Sequence, residues 1–262
     1  MNLSIRLRAV VVIVLTGLFL TDAVGGRADA QGLSVAAASD LQAVLPVVTA
    51  SFEKETGRSV TTSFGSSGNF FTQIENGAPF DVFLSADIDY PTRLEVSGSV
   101  MRGSVTQYAT GHLVLWSRND SGIDVTRGFA VLDDARVRHI AIANPEHAPY
   151  GRAAVAALRH EGVYERVRPK LVLGENISQT AQFAETGNAD VGIVALSLAL
   201  SPAMKASGSY FDIPTSWYPP IVQAAAVVTS SKQRALAQQF VQFLKRDSTV
   251  RLLQSYGFAV SR

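Results

Sequence analysis

Leu33-Ser34-Val35-Ala36-Ala37-Ala38-Ser39-Asp40-Leu41 is an apolar strand that runs straight into a serine. A second strand ends in the same way, in Ser63-Phe64-Gly65-Ser66-Ser67-Gly68-Asn69. Small hydroxyl residues after a strand open helices, and a helix opening exposes backbone N–H groups at the positive end of the peptide dipole. Two such openings side by side gather donors around one spot, an arrangement suited to an anion.

The flanking sequence alternates short β-rich runs with amphipathic stretches. Residues 33–37, 59–64 and 81–86 read as strands. Between them Leu41, Val44, Leu45, Val48 and Phe52 recur at helical spacing, with Pro46 expected to kink or delay that helix. Phe70, Phe71 and Ile74 begin a second helix that Gly77 and Pro79 stop. This order implies parallel strands with right-handed crossovers. The pattern then restarts, with strands at 112–117, 139–143, 170–173 and 190–195 and helices at 152–160 and 178–185. A late strand at 221–228 precedes helices at 233–244 and 249–256, whose Leu236, Phe240, Phe243 and Leu244 need a surface to cover. These helices are expected to return to the first unit, so that the chain crosses between units near 109–113 and near 218–223. The expected architecture is a two-lobed α/β protein, each lobe a mostly parallel sheet flanked by helices, with the ligand in the interlobe cleft. Lobe I is expected to comprise 31–111 plus 225–262, and lobe II 112–224.

Residues 1–30 have the form of a cleaved secretory signal. Arg6 and Arg8 form a charged start, residues 9–20 an apolar core, and Ala28-Asp29-Ala30 a cleavage site. The core falls short of the roughly 20 residues a membrane-spanning helix needs. No Cys occurs anywhere in the 262 residues, which removes lipid attachment at cysteine, disulfides, catalytic thiols and thiolate metal sites together. The formal charge of the chain is +1. The signal carries Arg6, Arg8 and Arg27 against Asp22 and Asp29, so the remainder is formally neutral, with nothing to attract nucleic acid or anionic lipid at long range. Ser, His and Asp are present, but Gly65-Ser66-Ser67-Gly68 is not a nucleophile elbow, and neither a phosphate-binding loop nor a zinc-protease motif occurs. An enzyme is not expected. A transcription regulator sharing this architecture is disfavoured by the export signal and the lack of a DNA-binding segment.

An ordered set of segments is similar to the periplasmic molybdate-binding proteins of ATP-driven uptake systems. They are Ala36-Ala37-Ala38-Ser39, Phe64-Gly65-Ser66-Ser67, Ile74-Glu75-Asn76-Gly77-Ala78-Pro79 and Asp81-Val82-Phe83-Leu84-Ser85-Ala86-Asp87. Asn144-Pro145-Glu146-His147-Ala148-Pro149-Tyr150-Gly151, Gly192-Ile193-Val194 and Tyr256-Gly257-Phe258 complete it. The resemblance implies the two-lobed periplasmic solute-binding fold of type II. It also implies a ligand, molybdate or tungstate, held by neutral hydrogen bonds with no directly coordinated metal and no cofactor. It further implies delivery to an inner-membrane ABC-transporter permease by an unanchored monomer in the periplasm, without nucleic-acid partners. Sulfate or phosphate is the alternative ligand.

Carried onto matching positions, the resemblance implies ligand contacts from the hydroxyls and amides of Ser39 and Ser67 and the amides of Tyr150 and Ile177. Ala195 occupies the position where some members carry a ligand-reaching tyrosine, and Tyr150 stands where those members carry a small residue. The Tyr150 phenol is therefore expected either to replace the missing donor or to roof the cleft. Local readings compete. Ser39 and Gln42 have the spacing of a capping box, Ser66 and Ser67 that of a strand-to-helix turn, and Asp40 is expected to point to solvent. Phe70 and Phe71 read as core, His147 as a residue that fixes its loop, and residues 217–220 as a stiff segment at the second crossing.

Overall fold

The computed structural model describes residues 32–260, so the expected signal over 1–30 lies outside the described residues. The strands are β1 (Leu33–Ala38), β2 (Val60–Gly65), β3 (Val82–Ser85), β4 (Thr106–Gly111), β5 (Leu113–Arg118), β6 (Ile140–Ala143), β7 (Leu171–Gly174), β8 (Val191–Ala195), β9 (Gly208–Asp212) and β10 (Ile221–Val227). The helices are α1 (Leu45–Thr56), α2 (Ser67–Glu75), α3 (Asp89–Ser97), α4 (Pro149–His160), α5 (Tyr164–Val167), α6 (Ile177–Glu185), α7 (Leu196–Ala199), α8 (Pro202–Ser207), α9 (Arg234–Phe243) and α10 (Asp247–Ser255). Pro46 delays α1, as its chemistry requires. It occupies the first turn, where a missing N–H costs nothing, so the helix proper starts at Leu45 and not at Leu41.

The strands form two five-stranded sheets, in the orders β2-β1-β3-β10-β4 and β7-β6-β8-β5-β9. In the first, β1 runs parallel to β2 and β3, and β10 returns antiparallel to β3 and β4. The second repeats the scheme, with β6 parallel to β7 and β8, and β5 antiparallel to β8 and β9. Parallel pairing brings strand ends to a common edge. Ala38 lies opposite Gly65 and Ala37 opposite Leu84, so the residues after β1, β2 and β3 share one rim. Ala143 opposite Gly174 does the same for the second sheet. Ligand crevices of open α/β sheets form outside such carboxyl ends.

The C-terminal helices close the first lobe's core. Phe52 of α1 meets Phe240 and Phe243 edge to face at 5.0 and 5.3 Å, pairings worth about 0.5–1.5 kcal/mol each beyond their buried area. Ala237, Val241 and Leu253 join Leu33, Val35 and Leu84 in that core. The second core is built around Trp116, Leu115, Ile140 and Ile193, all fully buried. The chain passes between the sheets from β4 to β5 and again from β9 to β10. At the second passage the Tyr218 hydroxyl accepts the Leu113 N–H at 3.1 Å, so the two passages are tied together.

Candidate functional site

Ser39, Ser67, Tyr150 and Ile177 line one small pocket, with a cavity volume of about 10 Å³, together with Ala38, Asp40, Gly65, Ser66, Ala86, Ala148 and Pro149. Each enters on a helical start. Ser39 opens a single 3₁₀ turn after β1, Ser67 is the first residue of α2, Tyr150 lies in the first turn of α4, and Ile177 is the first residue of α6. First-turn N–H groups have no acceptor within their own helix, so the pocket gathers amides from three helices and one turn. No Lys, Arg or His is in the lining. Ala195 is fully buried at the end of β8 and is not part of the lining.

The hydroxyls divide their work. Ser66 caps α2, its side chain accepting the Asn69 N–H, whereas the Ser67 hydroxyl accepts the Ala86 N–H at 2.9 Å. The capping box at Ser39 does not form, because no side chain caps that turn. The Ser39 hydroxyl turns instead across the cleft, donating to Asn176 Oδ1 at 3.1 Å and accepting the Ser178 N–H at 3.2 Å. Asn176 is itself the cap of α6. It was missed in the sequence, although an Asn ahead of an apolar helical run is a recognisable start signal.

Asp40 corrects the expectation most sharply. It does not face solvent but is 0 % exposed. Its Oδ2 accepts from the Tyr150 hydroxyl at 3.0 Å and from the Gln223 side-chain amide, while Oδ1 has no partner. Gln223 is oriented by the Tyr108 hydroxyl, which donates to its Oε1 at 2.7 Å, and the Asp40 carbonyl accepts from the Ser197 hydroxyl at 2.7 Å. Burial pushes the carboxyl up to about 7, against the hydrogen bonds from Gln223, Tyr150 and the backbone N–H groups of Asp40 and Leu41 that lower it. Burial and this neighbouring carboxylate hold both phenols, Tyr108 and Tyr150, well above their ordinary range. The Tyr150 proton is thus committed to Asp40. A Cβ at Gly111 would lie 2.0 Å from the Tyr150 hydroxyl, so the bare glycine is what makes room for the phenol.

The lobes are drawn together around the pocket. The Gly68 N–H donates to the His147 carbonyl at 2.9 Å, and Asn69 Nδ2 to Glu175 Oε1 at 2.6 Å. Arg152 pairs with Asp87 and donates to the Tyr90 hydroxyl at 3.1 Å. The His147 ring lies 3.1 Å from the Glu175 carbonyl oxygen, which holds its loop in place.

The model of the bacterial extracellular solute-binding proteins matches residues 33–259. The molybdate-binding protein ModA of Azotobacter vinelandii is 42% identical over 233 residues, covering 89% of this chain and 92% of that protein. The chain belongs to the ModA family of solute-binding proteins. ModA of Rhodobacter capsulatus is likewise 42% identical, over 207 residues, covering 79% of this chain and 80% of that protein. The solved periplasmic molybdate-binding protein of Azotobacter vinelandii superposes with a TM-score of 0.82 at 36% identity, covering 88% of this chain and all of that one. Proteins of this family are solute-binding proteins.

Proposed function

We propose that this chain captures molybdate or tungstate in the periplasm, after removal of residues 1–30, and delivers it as a monomer to the permease of an ABC transporter. The observation that carries this reading is the convergence of four helical starts, all without a cationic side chain, on one pocket. A fully ionised dianion accepts hydrogen bonds from every donor around it, each worth roughly 1.5–3 kcal/mol when charge-assisted. Ser39 and Ser67 from lobe I and the amides of Tyr150 and Ile177 from lobe II address the oxygens of the oxyanion. The metal stays within its own oxygen shell. Tyr150 serves the ligand through its main chain, since its phenol holds Asp40, and Ala195 supports the second sheet without contacting the ligand. Lobe I is assigned to 31–111 plus 225–262 and lobe II to 112–224.

Thermal unfolding against an oxyanion panel tests the assignment. Molybdate and tungstate at about 100 times their dissociation constants should each add about 2.7 kcal/mol of stability, seen as a rise of several degrees. Sulfate and phosphate at equal concentration should not, and an equal rise with sulfate would reassign the ligand.

The two serines of α2 should separate in a second experiment. Ser67→Ala removes a pocket hydroxyl and should weaken molybdate binding by roughly 10- to 150-fold, as should Ser39→Ala. Ser66→Ala removes a helix cap and should cost about 1 kcal/mol of stability while changing affinity less than about threefold. Calorimetric titration and urea unfolding of the three variants read the two effects independently.

A further inference from the structure

We propose that capture of the oxyanion is accompanied by uptake of one proton from solvent, carried by Asp40. The inference rests on the oxyanion reading above and adds to it a charge rule for the site. Asp40 belongs to the lining of the pocket and is adjacent to Ser39, yet it is an acid, the one acidic residue in that lining. An ionised carboxylate and a dianion in one water-excluded pocket repel each other strongly. Hydrogen bonds from Gln223, Tyr150 and the backbone N–H groups of Asp40 and Leu41 offset that charge only in part, and no cationic side chain faces it. Tyr150 faces it from α4 and Tyr108 stands behind Gln223 of β10 from β4, with Tyr218 beyond Tyr150. No Lys, Arg or His acts on its charge.

The hydrogen bonds leave a definite place for the proton. Oδ2 already accepts from Tyr150 and Gln223, whereas Oδ1 is buried and has no partner. A proton on Oδ1 leaves both bonds to Oδ2 intact and cancels the charge. Burial already makes the neutral acid accessible near pH 7 without ligand, and a dianion beside it extends the neutral form to higher pH. Asp40 is also the junction between the lobes, through the Tyr150 hydroxyl on its carboxyl and the Ser197 hydroxyl on its carbonyl. Closing the cleft and neutralising this carboxyl therefore go together.

Titration calorimetry of the protein with micromolar molybdate at pH 8, in two buffers of different ionisation enthalpy, counts the proton directly. About one proton should be taken up per oxyanion, and the dissociation constant should rise by roughly tenfold per pH unit above the titration of the free carboxyl. Asp40→Asn, which cannot ionise, should bind without proton uptake and with a flat profile between pH 7 and 9. Binding by the parent protein with no proton uptake overturns the proposal, as does an Asp40→Asn variant that keeps the parent's pH slope. Absence of molybdate binding at every pH overturns the oxyanion reading itself and this inference with it. The parent's proton count needs no variant, so the test stands even if Asp40→Asn folds poorly.

Discussion

Asp40→Asn should make the ligand-free protein gain stability relative to the parent as pH rises, with the whole gain falling between pH 4 and pH 7. The Asp40 carboxyl titrates at 3.8 in the unfolded chain and at about 7 in the fold. Between those values the folded state binds more protons than the unfolded one, so the contribution of Asp40 is fully present below pH 4 and is lost as pH climbs through 7. The loss is on the order of 4 kcal/mol for a fully buried group, a large part of the stability of an ordinary domain. Asn keeps an oxygen for Tyr150 and Gln223 and has no charge to expose. Urea unfolding of both proteins at pH 4 and pH 8 checks this, because any pH-independent cost of the substitution cancels in the difference. Parallel stability profiles would mean that Asp40 titrates as a solvated carboxylate.

Gly68→Ala should weaken molybdate binding by roughly 5- to 150-fold. A methyl at this position would sit 2.7 Å from the His147 carbonyl oxygen, 2.9 Å from its Cα and 2.8 Å from the Tyr90 hydroxyl. Two of these three atoms are backbone of the opposite lobe and cannot swing aside. Overpacking of this kind costs about 1–3 kcal/mol, most of it against the His147 backbone across the pocket. Within α2 the substitution is favourable, since Ala exceeds Gly in helix propensity by about 1 kcal/mol. Calorimetric titration alongside thermal unfolding of the free variant reads the two effects separately. A variant that binds as the parent does would show that the Gly68–His147 approach is not needed to hold the ligand.

The parts of the fold that could be read in the sequence were those written in apolar periodicity. The eight expected strands all form, and the returning helices α9 and α10 cover the first core through Phe240 and Phe243 as their spacing implied. β9 and α3 were missed because their own sequences carry little burial signal. Gly208–Asp212 has no fully buried residue, and Asp89–Ser97 buries only Pro91 and Leu94. At the site, Ser39, Ser67, Tyr150 and Ile177 came from the resemblance to the family, with which the strand ends and helix starts agree, and the structure brings all four to one pocket. The network behind them could not be read in the sequence. Asp40 meets Tyr150 and Gln223 across 110 and 183 residues, and no local pattern encodes such a meeting. The one visible trace was a glutamine inside the otherwise apolar run Ile221–Val227, a polar side chain that had to find a partner once buried.

The position of β10 also sets an order of assembly. The second sheet is written in one uninterrupted stretch, from Leu113 to Asp212, and can pair its strands as soon as that stretch is available. The first cannot. β4 borders no strand except β10, so the last strand of the chain must slot between β3 and β4 before that sheet is continuous. A chain that emerges N-terminus first therefore completes its middle before its beginning, and an unpaired β3 edge stays open until residues beyond 220 arrive. Exposed strand edges are where chains misassociate. For this protein the interval of greatest exposure ends only when the residues beyond 220 close back over the first strands.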